Sequence, residues 1–346
     1  MASHDIIVIG GSTGSIPVLR QLCSDLPVDL PAAVFVVVHV GAQGQDLLAG
    51  ILNGSGPLPV ATAQDGEAIR RGRIYVAPGD RHLLVGDDVI RLGRGPRENM
   101  TRPAIDPLFR SAGVNYGPRV IGVVLSGNLN DGSAGLAAIK RCGGLAVVQS
   151  PSEAEANEMP CGALQSCDVD YQARVSDLGS LLVHLAAEQA GPAVPVPPGI
   201  ALEVSFALGR NSDSHTLRQI AAPSTIPCPA CGGVLSEVHD KDALRFRCQI
   251  GHAYTAECLD REQESSTHDA LGIALRTLEA RATLLERMAE DARDKGRAQS
   301  ASDFAARGNE YRVHAGTIQQ AMLNLPPGGQ GGGGQSGGGQ GGRRSN

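Results

Sequence analysis

Over the first half of the chain, unbroken apolar runs alternate with segments of helical period. Ile6-Ile7-Val8-Ile9 and Ala33–Val40 are β-branched runs without a polar face, the pattern of strands covered on both sides. Between them Val18, Leu19 and Leu22 share one face of a helix near Ile16–Ser24. The alternation continues with a helix near Asp46–Asn53 and a strand over Arg73–Val76. A hairpin of Leu83–Val85 and Val89–Leu92 follows, turning at Gly86-Asp87-Asp88. Then come a helix over Ile105–Val114, a strand over Arg119–Leu125, a helix over Gly132–Arg141 and a strand over Leu145–Gln149. This order predicts an α/β domain over residues 1–187: a doubly wound, mostly parallel, Rossmann-like sheet with helices on both faces and right-handed crossovers.

The pattern then changes three times. Residues 188–225 open with the proline-rich run Ala190–Gly199, which reads as a semi-rigid linker without helix or central strand. Residues 226–262 hold a cysteine cluster. Across 263–326 two heptad seams appear: Leu271, Leu275, Leu278, Ala282, Leu285, Ala289 and Ala292, then Phe304, Gly308, Tyr311, Ala315, Ile318, Met322 and Leu325, with a break at Lys295-Gly296. Short seams joined by a short break favour an α-helical hairpin within one chain, and offer a surface for a partner or for self-association. Residues 327–346, rich in glycine and glutamine, are expected to be disordered.

Composition narrows the function classes. Net charge is −6 with the basic residues scattered, and there is no Trp, so no nucleic-acid surface is expected. No apolar run approaches the roughly 20 residues of a membrane span, and the first strand begins at once, so no leader segment is expected. The 8 cysteines in 346 residues do not make a secreted disulfide framework, so a reduced, cytoplasmic protein is expected.

The candidate chemistry gathers at the ends of strands. In Gly10-Gly11-Ser12-Thr13-Gly14-Ser15 the chain turns from the first strand into a helix. Ser12 or Thr13 there suits a helix N-cap, and Ser12 also suits a nucleophile on a tight strand-to-helix turn. A dinucleotide loop needs Gly-x-Gly-x-x-Gly, and serines stand where the second and third glycines belong. A dinucleotide oxidoreductase with Tyr-x-x-x-Lys fails too, since none of the three lysines (140, 241, 295) follows a tyrosine by four. A serine nucleophile needs a base, and the base an orienting group. His39 ends the second strand, and Asp131 lies in Leu125-Ser126-Gly127-Asn128-Leu129-Asn130-Asp131-Gly132 after another central strand. Ser12, His39 and Asp131 therefore converge on one sheet edge as nucleophile, base and orienter, with N–H groups near Thr13 and Asn128 as oxyanion donors. Separately, Cys228-x2-Cys231, sixteen residues, then Cys248-x3-His252 has the ligand spacing of a closed, structural Zn²⁺ site in a zinc-ribbon-like module, with His239 and Cys258 as spare ligands.

These motifs resemble a known family. Gly10–Gly14, Val38-His39, Tyr75–His82, Arg102–Phe109, Leu125–Gly132 and Glu158-Met159-Pro160 occur in the order found in the catalytic domain of chemotaxis protein-glutamate methylesterases of CheB type. The resemblance covers residues 5 to about 186. It implies hydrolysis of γ-glutamyl methyl esters on receptor cytoplasmic helices, deamidation of receptor glutamines, no catalytic cofactor, and Ser12, His39 and Asp131 as the triad. The chain departs from the family pattern at Asn128, where a methionine is usual, and at Gly14-Ser15, where Gly-Gly is usual. It also departs in having no receiver segment before the first strand, so control by phosphorylation within this chain is not expected. The cysteine cluster and helices resemble an appendage of some receiver-less relatives. A non-catalytic adaptor that keeps the fold is the alternative reading.

Overall fold

The computed structural model describes residues 3–39, 45–210 and 213–325. The glycine-rich tail and Val40, expected to end the second strand, lie outside the described residues. The α/β part runs β1 (Ile6–Gly11), α1 (Ser15–Asp25), β2 (Ala33–Val38), α2 (Gln45–Asn53), β3 (Val60–Thr62), β4 (Arg73–Val76), β5 (His82–Val85), β6 (Ile90–Gly93), α3 (Ile105–Tyr116), β7 (Val120–Val124), α4 (Ser133–Arg141), β8 (Leu145–Gln149), α5 (Glu158–Ser166), β9 (Tyr171–Ala173) and α6 (Val175–Ala187).

Seven strands form one sheet in the order β3-β4-β2-β1-β7-β8-β9. Every neighbouring pair is parallel. From β1 the chain fills one side of the sheet and from β7 the other, so β1 and β7 flank the switch point where ligands of such sheets bind. Alternation along the strands divides the core. Ile7, Ile9, Val34 and Val36 pack with Val18, Leu22, Leu52, Leu182 and Leu185 on one face. Ile6, Val8, Phe35 and Val37 pack with Ile105, Leu108, Phe109, Leu136 and Met159 on the other. The edge strands β3 and β9, three residues each, carry no apolar run by which the sequence would reveal them.

The proline-rich segment is less irregular than expected. A helix, α7 (Pro198–Ala207), starts on its last proline. Proline at the first helical position gives up no hydrogen bond there, and its fixed φ suits the helix. Burial of Ile200 and Phe206 holds the helix in place. After α8 (Ser214–Leu217), a second, antiparallel sheet follows in the order β10 (Ala221–Pro227), β11 (Val234–Val238), β12 (Arg245–Cys248), β13 (Ala253–Thr255). This sheet belongs to the same compact unit as the α/β part, which extends to Leu259. Buried ion pairs join them. Glu98 pairs with Arg110 of α3 and with Arg247 of β12, and Glu203 of α7 takes Arg245 at 2.7 Å and Arg247 at 3.0 Å. Glu98, Arg110, Glu203 and Arg247 are all at most 3% exposed, so removing one partner would strand a buried charge.

A long helix, α9 (Ala256–Asp294), begins earlier than the heptad seam does and is followed by α10 (Ala298–Asn324). From Asp260 onward the two form a unit of their own. The chain reverses at Gly296, where φ is 70°. Gly308 then lies against Leu285 and the Ala282 carbonyl, and Arg281 stacks over Tyr311 at 5.0 Å, as in an antiparallel hairpin. Ala282, Leu285, Ala289, Ala292, Gly308 and Ala315, all seam positions, are its buried residues, together with Ala301.

Candidate active site

Ser12 follows β1 directly, and His39 follows β2. Their strands run in register with Gly11 beside Val38, so Ser12 and His39 stand side by side just past the ladder, and the His39 N–H donates to the Gly11 carbonyl at 3.1 Å. On the other side the Ser12 N–H donates to Ser126 O at 2.9 Å. Ser12 does not cap α1, nor does Thr13. The cap is Gly14, in the left-handed region at φ 76°, with no side-chain hydrogen bond, which corrects the capping expectation. The half-buried Ser12 hydroxyl makes no structural hydrogen bond among the described residues. Gly127 lets the β7 loop come this close. A Cβ there would lie 2.0 Å from Met159 Sδ and 2.8 Å from Ser12 Cβ.

His39 Nε2 and Asp131 Oδ2 are 2.8 Å apart, with the imidazole 15% exposed and the carboxylate 3%. Thr101 Oγ1 lies 3.3 Å from the same nitrogen. Asp131 also accepts from the N–H of Ile105 at 2.7 Å, of Gly132 at 3.1 Å and of Asp106 at 3.3 Å, and from Asn99 Nδ2 at 2.8 Å. Burial alone would raise its pKa. The His39 hydrogen bond and charge, the Ile105 N–H and the Asn99 amide together bring it below the usual carboxylate value.

The expected oxyanion residues also meet: Asn128 Nδ2 donates to Thr13 Oγ1 at 3.2 Å. Neither backbone N–H of these two has a protein acceptor among the described residues. Leu129, at φ 63°, is held by its N–H on Glu158 Oε2 at 2.6 Å.

The sequence reading missed Asn99 and Asp106. Asp106 Oδ1 accepts from the N–H of Gly135 at 2.6 Å and of Gly132 at 3.0 Å, and Asn99 Nδ2 donates to Asp106 Oδ2 at 2.9 Å. Asp106 and Asp131 thus share the Gly132 and Asn99 donors, and the pair holds one negative charge more readily than two. Burial first, and then the Asp131 charge, push Asp106 up to about 7. A carboxyl whose folded pKa is raised binds a proton that the unfolded chain releases. Its contribution to stability is complete below the unfolded value of 3.8 and is lost as pH rises through about 7. Denaturant titrations are therefore expected to show wild type losing about 1 kcal/mol per pH unit between roughly pH 4.5 and 6.5 relative to Asp106→Asn, with no further divergence at alkaline pH.

In the second sheet, Cys228, Cys231, Cys248 and His252 bring their ligand atoms within 4.8 Å of one another. Cys231 and Cys248 sulfurs are 3.8 Å apart, and His252 Nδ1 lies 3.8 Å from Cys228 Sγ and 3.5 Å from Cys248 Sγ. A tetrahedral Zn²⁺ with ordinary bond lengths would set S–S edges of about 3.8 Å and S–N edges of about 3.6 Å, so the donor set fits such an ion. Burial, with the neighbouring Cys228 and Cys231 sulfurs, pushes the Cys248 thiol up to about 12. A cation held there would reverse that tendency. Of the spare candidates, His239 is exposed, and Cys258 is buried with its Sγ 3.5 Å from Asn130 Oδ1.

The parallel α/β sheet thus carries a serine, a histidine and a carboxylate at its switch point. The CheB methylesterase family matches residues 7–182. The chain is 36% identical over 184 residues to a putative protein-glutamate methylesterase/protein-glutamine glutaminase of Leptospira interrogans, covering 53% of this chain and 95% of that protein. It is 40% identical over 167 residues to protein-glutamate methylesterase/protein-glutamine glutaminase 1 of Rhodospirillum rubrum, covering 46% of this chain and 43% of that one. The crystal structure of the Thermotoga maritima CheB methylesterase catalytic domain superposes with a TM-score of 0.51 at 30% identity, over 54% of this chain and all of that domain. The chain belongs to the CheB methylesterase family.

Proposed function

We propose that this protein is a protein-glutamate methylesterase that removes methyl groups from γ-glutamyl methyl esters on the cytoplasmic helices of chemoreceptors, and that it deamidates receptor glutamines at the same site. The observation that carries the reading is the 2.8 Å His39–Asp131 hydrogen bond one strand away from Ser12. With Nε2 turned to Asp131, Nδ1 is the imidazole nitrogen available to Ser12. Ser12 Oγ attacks the ester carbonyl as His39 takes its proton. The oxyanion is met by N–H groups of Thr13 and Asn128, and methanol leaves with the proton from His39. Water, deprotonated by His39, then hydrolyses the γ-glutamyl ester of Ser12 and yields the carboxylate. With a glutamine substrate the leaving group is ammonia. Asp131 remains ionised and holds the imidazole in the tautomer the first step needs.

The adaptor alternative lacks comparable support, because an adaptor has no need of a buried carboxylate aligned on a histidine beside a serine whose hydroxyl makes no hydrogen bond among the described residues. The proposed substrate places the protein in the cytoplasm. No helix among the described residues is long and apolar enough to cross a membrane. The exposed Ile273, Leu284, Val313 and Leu323 give the helical pair a surface for a partner or for self-association. The reaction is tested by methanol release from a receptor cytoplasmic fragment carrying glutamyl methyl esters.

We further infer that the Cys228, Cys231, Cys248 and His252 cluster holds one structural Zn²⁺, which takes no part in the chemistry. Purified protein is expected to retain about one zinc per chain after dialysis, and Cys231→Ser less than about half of that. An unchanged metal content in Cys231→Ser would remove the assignment.

A further inference from the structure

We propose that the Cys/His sheet is a working part of the esterase site, and that Thr255, Asn99 and Asn130 are positioning residues for Asp131. The proposal rests on the Ser12–His39–Asp131 reading. Every direct partner of Asp131 among the described residues belongs to the α/β domain, but two of the residues around it, Asn99 and Asn130, are held from β13. Asn99 is 5% exposed and sits at φ 48°, a conformation asparagine tolerates better than most residues. Its amide donates to Asp131 Oδ1 at 2.8 Å and to Asp106 Oδ2 at 2.9 Å. Its own position is set by β13: the Asn99 N–H donates to Ala253 O at 2.8 Å, and Asn99 Oδ1 accepts the Thr255 N–H at 3.0 Å. Asn130, next to Asp131 in the chain, is held from the same strand and from the first turn of α9. Its Oδ1 accepts the Thr255 hydroxyl at 2.6 Å, and its Nδ2 donates to Glu257 Oε2 at 2.6 Å.

Thr255 is thus the junction. Its backbone fixes one asparagine and its side chain the other, and it is 2% exposed. Three residues before it stands His252, whose carbonyl accepts the Cys248 N–H at 2.9 Å. The turn that gathers the sulfur and imidazole donors is therefore the turn that starts β13. The Arg247–Glu98 ion pair clamps the preceding strand beside Asn99. Thr255 lies outside residues 7–182, the segment matched by the family. In this chain, a part of the framework of the triad carboxylate comes from the appended sheet, so the sheet's integrity sets turnover.

The test is steady-state methanol release from the methylated receptor fragment by full-length protein, with melting temperature and zinc content measured on each variant. Thr255→Val removes the hydroxyl at nearly constant shape. It is expected to lower kcat about 10-fold with KM within about 2-fold, because a small displacement of a triad member costs turnover rather than binding. Thr255→Ser, which keeps the hydroxyl, is expected to recover most of that loss. Asn99→Gly, compatible with the positive φ, removes the amide from Asp131 directly and is expected to cost about 100-fold in kcat. Asn130→Ala supplies the second route should Thr255→Val melt early or lose metal, and is expected to match it in kcat. The proposal is overturned if the folded variants keep wild-type kcat, if the loss falls on KM, or if serine is no better than valine at 255 while Ser12→Ala is inactive. An active Ser12→Ala would instead overturn the triad reading, and this proposal with it.

Discussion

Ser12→Ala is expected to abolish methyl-ester hydrolysis, lowering kcat by roughly 10³- to 10⁶-fold, without unfolding the protein. The size follows from the role. With no oxygen to attack, only the oxyanion donors and substrate binding remain, and residual turnover falls toward that of a positioned water. The structural silence of the change is specific to this chain. Helix α1 is capped by Gly14, and Ser15 Oγ, not Ser12 Oγ, bonds within the turn, at 2.6 Å to the Ser12 carbonyl. Alanine keeps that carbonyl and the backbone N–H to Ser126. Stability should therefore change by no more than about 0.5 kcal/mol, as for a neutral substitution. Methanol release and a thermal melt on the same preparation check both halves.

Asp131→Asn is expected to cost on the order of 10⁴-fold in kcat, and stability as well. Each carboxylate oxygen of Asp131 accepts at least two donors: Asn99, Gly132 and Asp106 on Oδ1, His39 and Ile105 on Oδ2. An amide in either orientation sets an NH2 against an N–H group, and with the NH2 toward His39 it also reverses the demand on the His39 tautomer. One buried donor left unsatisfied costs about 1–3 kcal/mol, so this variant, unlike Ser12→Ala, should also melt earlier. Removing the Asp131 charge takes away the second cause of the raised Asp106 pKa, so the stability–pH dependence assigned to Asp106 should weaken in the same variant. The paired measurements are kcat on the receptor fragment and denaturation across pH.

Ser12, His39 and Asp131 were legible in the sequence for one physical reason. Each follows a buried apolar strand within a few residues, and parallel strands place their carboxyl ends along one edge. The Cys228, Cys231, Cys248 and His252 cluster was legible because its two pairs are each local in sequence. What joins these residues was not. Asn99 reaches Asp131 from a segment that carries no periodic signal and Asp106 from the first turn of α3, and their roles depend on a positive φ and on shared donors that exist only after folding. Thr255 lies more than 100 residues from the loop it supports. The serine turn was misread in one respect, since Ser12 and Thr13 are good capping residues by type, yet glycine takes that position because the turn requires φ 76° there. The helix starting at Pro198 was hidden by reading proline only as a breaker.

The claim that acyl transfer runs through Ser12 meets its most direct test in rapid acid quench of full-length protein with the methylated receptor fragment, followed by peptide mass spectrometry. A transient adduct of the glutamyl fragment on the peptide containing Ser12, present in wild type and absent from Ser12→Ala, is the predicted result. Methanol release at wild-type rates with the adduct on another residue, or undiminished in Ser12→Ala, would contradict it.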